Sequence, residues 1–481
     1  LTPSDQTVKL KSGEIFHKMV PMMQTLAERL ATYCHSFSYG RVSKEAIHEA
    51  KRRLIDTLGC AAGAFGCLPG EIAQELATTV RGRWGARLLG SRRITSPDLA
   101  AFFNGTLVRY LDYNDTYLSK EPAHPSDNIP AALAVAEAEG RSGKDLLAGI
   151  VLAYEIQCRF CDAASLRVRG WDHVTYGPLS TALLSAWLMR LNPNQMVHAL
   201  SLAAVSNNAL RQTRTGEISL WKASAFANAA RNGIFAAALA RSGMTGPAPI
   251  FEGEKGFFNA VSGPISLPQL GGEEGVLFKI PDCFIKQYPV EYHAQSAVEA
   301  ALSLYPAIRR EGKASAVVRS IEVKTAAVSR EIIGRDPEKW SPRTRETADH
   351  SLPYCVSAAL QYGAVGLAQF DESHLQDRAL RILIKKTTVM EDPELTALYP
   401  KRIGNAIEVT TRSGKYVKRV DFPKGHPNNP LTDLEVEEKF KTLCEERIPT
   451  RRVNRILSSI WNLERITDIR TWSAQLGKWS A

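Results

Sequence analysis

The sequence predicts a mainly α protein, a large all-helical domain with a smaller α+β lid domain inserted near its C-terminal end. Three observations carry this. Before residue 270, apolar residues recur at helical spacing and strand-like alternation is almost absent. Pro264, Pro268, Gly271 and Gly272 then punctuate the chain, and alternating segments follow. Beyond residue 424 amphipathic helices return. The expected organisation is a helical domain over 24–266, a lid over 267–424, and a helical return over 425–481. Residues 1–23 mix Lys, Ser, Asp and Glu without the apolar core of a signal peptide, and are expected to be a mobile lead-in. A length of 481 residues suits two or three folding units.

The helical elements follow in order. Met22 opens a periodic stretch, MMQTLAERLATYCHSF. Ser43 reads as the start of KEAIHEAKRRLIDTLGCAAGAFG, whose stripe is Ile47, Ala50, Leu54, Ile55, Leu58 and Ala61. Its Gly- and Ala-rich tail lets another backbone approach closely, so this helix is expected to be central. Leu99–Tyr110, Ile129–Gly140, Lys144–Cys161, Pro178–Leu191, Gln195–Asn208 and Ser224–Ser242 complete the first block. In the lid, a helix over Ala294–Leu304 precedes a strand in VVRSIEVKTAA with Val317, Arg319, Ile321 and Val323 on one face. Helices are expected at 352–362 and 374–386. Two alternating runs in AIEVTTRSGKYVKRVD flank Ser413 and Gly414 as a hairpin. Thr432–Leu443, Arg452–Leu463 and Ile466–Ala474 form the return.

The composition is that of a soluble globular chain, without an apolar run of transmembrane length. The formal charge of +10 suggests an anionic partner: nucleic acid, a membrane surface or a small acidic molecule. Basic residues are dispersed (Lys51–Arg53, Arg92 and Arg93, Lys385 and Lys386, Arg451 and Arg452), not massed among aromatics, which argues against a nucleic-acid-binding protein. Among eight cysteines, only Cys158 and Cys161 are spaced C-x-x-C, and no second pair or spaced histidine completes a zinc site. Core thiols in a reducing compartment are the expectation. Phosphate-loop and nucleophile-elbow motifs are absent.

Five segments concentrate chemistry. LVRYLDYNDTYLSKEPAHPSDNIPAALA joins two apolar helices through Asp112, Asn114, Asp115, Thr116, Lys120, Glu121 and His124. Ser126 reads as the cap of the second helix, where an anion would be favoured beside His124; a solvated polar loop is the alternative. RGWDHVTYGPLSTALL places His173 before another apolar helix. In EISLWKASAFANAARNG, Lys222 interrupts an apolar stretch and must snorkel, pair or bind a ligand, and Arg211 and Arg214 precede it. CFIKQYPVEYHAQSAVEAAL carries Lys286 and His293. RETADHSLPYCVSAAL carries His350 and Tyr354 around a helix start capped by Ser351 with Pro353 in its first turn. Each has an ordinary surface or capping role as its alternative.

Taken together, LDYNDTYLSKEPAHPSDN, WDHVTYG, LWKASAFANAARNG, IKQYPVEYHAQSAVEAAL and ADHSLPY resemble the MmgE/PrpD family over about residues 24–470. That family includes 2-methylcitrate dehydratases, cis-aconitate decarboxylases and an iminodisuccinate epimerase. The resemblance implies a helical domain with an α+β lid, a homodimer, and a site between the two that needs no metal and no cofactor. It implies a cytoplasmic enzyme, or one of the mitochondrial matrix in a eukaryote. Carried over by motif, it implies catalytic roles for Asp112, His124, His173, Lys222, Lys286 and Tyr354. Thr116, Arg211, His293 and His350 are the expected substrate contacts. The wording is most similar to the dehydratases, so the expected reaction is loss of water from a small polycarboxylate such as 2-methylcitrate, with decarboxylation or epimerisation as alternatives. Lys222 and Lys286 would then bind carboxylate, His124 and His173 would transfer protons in an undecided order, Asp112 would orient a histidine or act as base, and Tyr354 would donate from the lid.

Overall fold

A computed structural model describes residues 24–80 and 82–480; the expected lead-in over 1–23 lies outside the described residues. The chain is mainly helical. The first block comprises helices over Leu26–Ser36, Lys44–Gly63, Leu68–Ala77, Pro97–Tyr110, Ile129–Ala138, Gly143–Ala163, Gly177–Leu188, Pro193–Ser206 and Trp221–Arg241. Caps set several starts. Ser43 Oγ accepts from the Ala46 N–H, and Ser142 forms a reciprocal capping box with Asp145. Two short strands, β1 (Ala86–Arg87) and β2 (Ile94–Thr95), make a ribbon between helices.

Close backbone packing explains the small residues. A Cβ on Gly63 would stand 2.8 Å from a Leu443 methyl, and one on Gly59 would stand 3.2 Å from the Phe440 ring. The partner of this central helix is therefore Asp433–Cys444, from the C-terminal return. Thr450–Trp461 and Ile469–Leu476 complete that return, and Val436, Phe440, Val453, Ile456, Leu457 and Trp472 all belong to the larger hydrophobic core.

The smaller core packs helices against a sheet of order β4-β3-β5-β6. Here β3 is Ser320–Thr325, β4 Thr387–Glu391, β5 Asn405–Thr410 and β6 Lys415–Val420. The β5–β6 hairpin is antiparallel, with Thr410 opposite Lys415, and β4 runs parallel to β3. Ile321 and Val323 face inward as expected, whereas Val317 ends a short helix and Arg319 is exposed before the strand begins. Gln295–Glu311 and Leu352–Tyr362 are the main helices behind the sheet. Ile265, Leu267, Leu270, Phe278, Ile280 and Ile285 still pack in the larger core, and the smaller core begins at Val290. The chain thus changes core between Ile285 and Val290, after the Pro264–Gly272 punctuation. All eight cysteines are free; Cys158 and Cys161 are buried, with Cys158 Sγ 3.9 Å from Cys283 Sγ. Among the described residues, no helix is long and apolar enough to cross a membrane.

Candidate active site

The loop between Tyr110 and Ile129 is not a solvated connector. Asp112, Asn114, Asp115, Thr116 and Glu121 are all buried. Burying so many polar groups requires partners for each. Asp115 accepts from the Ser126 N–H at 2.9 Å and from the Tyr154 hydroxyl at 2.7 Å. Asn114 donates to Ser126 Oγ and to Asp127. Ser126 is consequently not the helix cap expected of it. It lies in a 3₁₀ turn, Pro125–Asn128, that runs into the helix at Ile129, and the helix entry is met by the loop's own Asp115 carboxylate.

Asp112 is the centre of the site. Its φ of +50° is unusual for a non-glycine residue and turns the chain sharply after the helix. Lys286 Nζ donates to both its carbonyl, at 2.7 Å, and its Oδ1, at 2.6 Å. Arg109, one turn earlier, donates to the same Oδ1 at 2.6 Å. Lys222 Nζ lies 3.1 Å from Asp112 Oδ2 and 3.1 Å from Asp349 Oδ1. His350 Nδ1 stands 2.5 Å from Asp349 Oδ1 and 3.3 Å from Asp112 Oδ2. Burial alone would raise the Asp112 pKa, but Arg109, Lys222 and Lys286 together hold it well below the usual carboxylate range. Burial lowers the pKa of Lys286, and the Asp112 charge opposes that. Burial, reinforced by Lys222, pushes His350 down to about 4, so it is neutral at pH 7. Asp127, 3.9 Å from Arg109 Nε, and Glu291, whose charge acts on Lys286, add further acids at the edge of the cluster.

The Asp112, Asp349 and His350 ligand atoms are spaced closely enough for a metal ion. That position is filled by the protein's own cation, because the Lys222 ammonium is 3.1 Å from all three residues.

His173 forms a second centre. Asp172 Oδ1 lies 2.9 Å from its Nδ1, while Asp172 Oδ2 takes Arg214 Nε at 3.0 Å. A carboxylate at Nδ1 keeps the proton there and leaves the lone pair on Nε2. That Nε2 is buried and has no hydrogen-bond partner among the described residues. Burial lowers the His173 pKa and Asp172 opposes the shift, so the ring is a neutral base near pH 7. The His124 ring lies 5.7 Å from the His173 ring, edge to face. His124 Nδ1 contacts the Asp115 carbonyl at 2.7 Å and Thr116 Oγ1 at 3.3 Å.

The structure thus gathers Asp112, Lys222, Lys286 and His350 at one point, with Thr116, His124 and His173 beside it. Arg211 lies on the Arg211–Arg214 turn, within the field of Asp172, and makes no ion pair among the described residues. His293 borders the cluster. Its Nδ1 is 2.8 Å from Glu291, and its ring stacks on Tyr399. Tyr354 is not brought in. Its hydroxyl donates to the Gln369 carbonyl at 2.5 Å and its ring packs against Phe370 in the smaller core. Residue-type reasoning missed Arg109, Asp172 and Asp349. A signal for two of them was present: an acid directly precedes His173 and His350.

A buried carboxylate ringed by cations, with an unpaired imidazole beside it, defines an acid–base site for a small anion. The chain belongs to the MmgE/PrpD family: its N-terminal domain model matches residues 28–269 and its C-terminal domain model residues 288–465. The chain is 32% identical to the 2-methylcitrate dehydratase of Salmonella typhimurium, over 87% of this chain and 90% of the relative. It is 30% identical to the 2-methylcitrate dehydratase of Cupriavidus necator, covering 86% and 89% of the two chains. It is 28% identical to the mitochondrial 2-methylcitrate dehydratase of Yarrowia lipolytica, covering 91% and 87%.

Proposed function

We propose that this chain is a hydro-lyase that removes water from 2-methylcitrate or a closely similar hydroxy polycarboxylate. The observation that carries it is the pairing of an Asp172-backed His173, whose Nε2 is unpartnered, with a neighbouring cluster of buried lysines. The names of the relatives support the substrate class. A proton α to a carboxylate is weakly acidic, because its removal puts a second negative charge on the carboxylate. Lysines beside that carboxylate lower the barrier, each well-placed donor contributing about 2.7–4 kcal/mol by analogy with oxyanion holes. In this reading His173 Nε2 takes the α-proton, the electron pair left on the α-carbon forms the C=C bond as the β C–O bond breaks, and the hydroxide leaves as water with the proton returned from the His173 imidazolium; Lys222 and Lys286 hold the carboxylate, and Asp112 fixes both lysines. Arg211, Thr116, His293 and His350 border the substrate. The smaller core closes over the site as a lid and excludes water. The reading includes a homodimer, checked by sedimentation. Eight free cysteines agree with a reducing compartment, the cytoplasm or a mitochondrial matrix.

The test is incubation with 2-methylcitrate, citrate and cis-aconitate, following ultraviolet absorbance of a new enoate against evolved carbon dioxide. Enoate without carbon dioxide from 2-methylcitrate is expected. Carbon dioxide from cis-aconitate would assign decarboxylation instead, and no change with any of the three would refute the substrate class.

A further inference from the structure

Four histidines stand in or beside the site, and three share one arrangement. His173, His293 and His350 each have a carboxylate at Nδ1, from Asp172, Glu291 and Asp349 respectively. Such a carboxylate steadies the ring and makes its far nitrogen a better base. His124 has the opposite wiring. Its Nδ1 points at the Asp115 carbonyl, 2.7 Å away, so Nδ1 must carry the hydrogen. The lone pair is then on Nε2, and there it accepts from Arg109 Nη2 at 2.9 Å. A guanidinium does not give up its proton in a protein, so Nε2 cannot take one up while Arg109 remains in place. Arg109 is itself fixed: it is 2% exposed, and its other terminal nitrogen donates to Asp112 Oδ1 at 2.6 Å.

We infer that Arg109 is a positioning residue that locks His124 as the neutral Nδ1–H tautomer and ties it to Asp112, leaving His173, of these two facing rings, as the one that transfers the proton. This deepens the dehydratase reading and rests on it for the role of His173, but not for the lock itself. The charged and titratable groups facing His124 are Arg109 from the preceding helix end, Asp112 and Asp115 from its own loop, Lys286 from the segment after Phe284, and His173 from the facing turn. Burial is the largest influence holding the ring neutral, and the cations among these groups add to it.

The test starts with histidine-labelled protein and nitrogen-resolved magnetic resonance, with the His124 signal assigned through the His124→Gln variant. In the full chain without substrate, His124 should show the Nδ1–H signature and no titration from about pH 5 to about pH 9. In Arg109→Gln the Nε2 resonance should move toward that of a lone pair without a charged donor, while burial still keeps the ring neutral. In Arg109→Lys, which keeps a cation at the position, that resonance should not move. A titrating His124 with Arg109 present, or an unchanged one in Arg109→Gln, overturns the lock. Kinetics then test the division of labour, with a readout that does not depend on Arg109→Gln folding. His124→Gln, whose amide oxygen can still accept from Arg109, should lose no more than about tenfold in kcat, whereas His173→Gln should lose about a hundredfold or more. Equal losses overturn the assignment of proton transfer to His173. Failure of the wild-type chain to turn over 2-methylcitrate would strike the dehydratase reading while leaving the resonance result to stand or fall separately.

Discussion

Replacing Asp172 by Asn isolates the element that makes His173 a base. In the wild type, the carboxylate stands 2.9 Å from His173 Nδ1, accepts from Arg214 at 3.0 Å, and accepts from the Val174 N–H at 3.3 Å. Asn keeps the shape but has one acceptor and one donor. Arg214, a charged donor at the Oδ2 position, takes the amide oxygen, so the amide NH₂ stands at the Oδ1 position and faces both His173 Nδ1 and the Val174 N–H. The imidazole must then carry its hydrogen on Nε2, where the lone pair is needed. In hydrolase triads the corresponding wrong tautomer costs about 10⁴ in kcat. Here we expect a loss of about 10²–10⁴, or roughly 3–5.5 kcal/mol at 1.36 kcal/mol per decade, with KM changed by no more than about threefold. The pH profile gives an independent sign. Burial lowers the His173 pKa and Asp172 holds it up. Removing the charge lowers it further, so the acid limb of kcat/KM should move to lower pH even as the plateau falls. The assay is initial enoate formation across neutral pH, with circular dichroism to confirm the fold. A plateau within about threefold of wild type, or an acid limb moved upward, would refute the reasoning.

Further outcomes follow from the same geometry. Lys286→Met removes the donor that Asp112 shares between its carbonyl and carboxylate. Turnover should fall about a hundredfold or more, and the melting temperature should drop because breaking a buried pair costs about 3–5 kcal/mol. Tyr354→Phe should cost about 1 kcal/mol in denaturant titration, the worth of its bond to Gln369, and leave turnover within about twofold. The stability of the chain should decline on acidification from about pH 6.5 to about pH 4. His350 is driven down to about 4 in the folded state, so between the two values the unfolded chain binds the proton and the folded one does not. That group contributes roughly 3 kcal/mol, fully present above its unfolded pKa and lost as pH falls through its folded one; urea midpoints that stay flat over this range would contradict it. Saturating EDTA should leave turnover unchanged, since Lys222 fills the position a metal would take. Loss restored by a divalent metal would overturn that.

Much of the fold was legible because its causes are local. Ser43, Ser142 and Ser351 announce their helices with cap bonds to residues three positions on. The Gly-rich end of the Lys44–Gly63 helix signalled close packing, but its partner, Phe440 and Leu443, lies in a distant segment with no local mark. Strand β4 was invisible because its residues are mostly exposed, so TTVME shows no alternation. The helix expected over Ala294–Leu304 continues past Pro306 to Glu311. The site residues were legible as isolated oddities. Their grouping was not, because the decisive contacts are long-range: Lys286 meets Asp112 across 174 positions, and Lys222 meets Asp349 across 127. Tyr354 shows the converse. A tyrosine at a helix start beside His350 reads as a lid donor, but helical geometry turns it onto Gln369, away from the cluster.

The charge arrangement also bears on which anions the site admits. Lys222 and Lys286 are already satisfied by Asp112 and Asp349, at 2.6–3.1 Å. A substrate carboxylate must therefore compete with fixed carboxylates for the same ammonium groups, and in a buried setting that competition is nearly even for a single charge. A monocarboxylate would therefore gain little. A di- or tricarboxylate can engage the cluster with one group and use Arg211, which makes no ion pair among the described residues, with another. Two well-separated attachment points also fix the α-carbon relative to His173 Nε2, which is where orientation lowers the barrier most. The paired lysines thus select for a substrate with more than one carboxylate, as the chemistry proposed for this site requires. The overall +10 has no part in this argument, which rests on the buried lysines held by Asp112 and Asp349 and on Arg211.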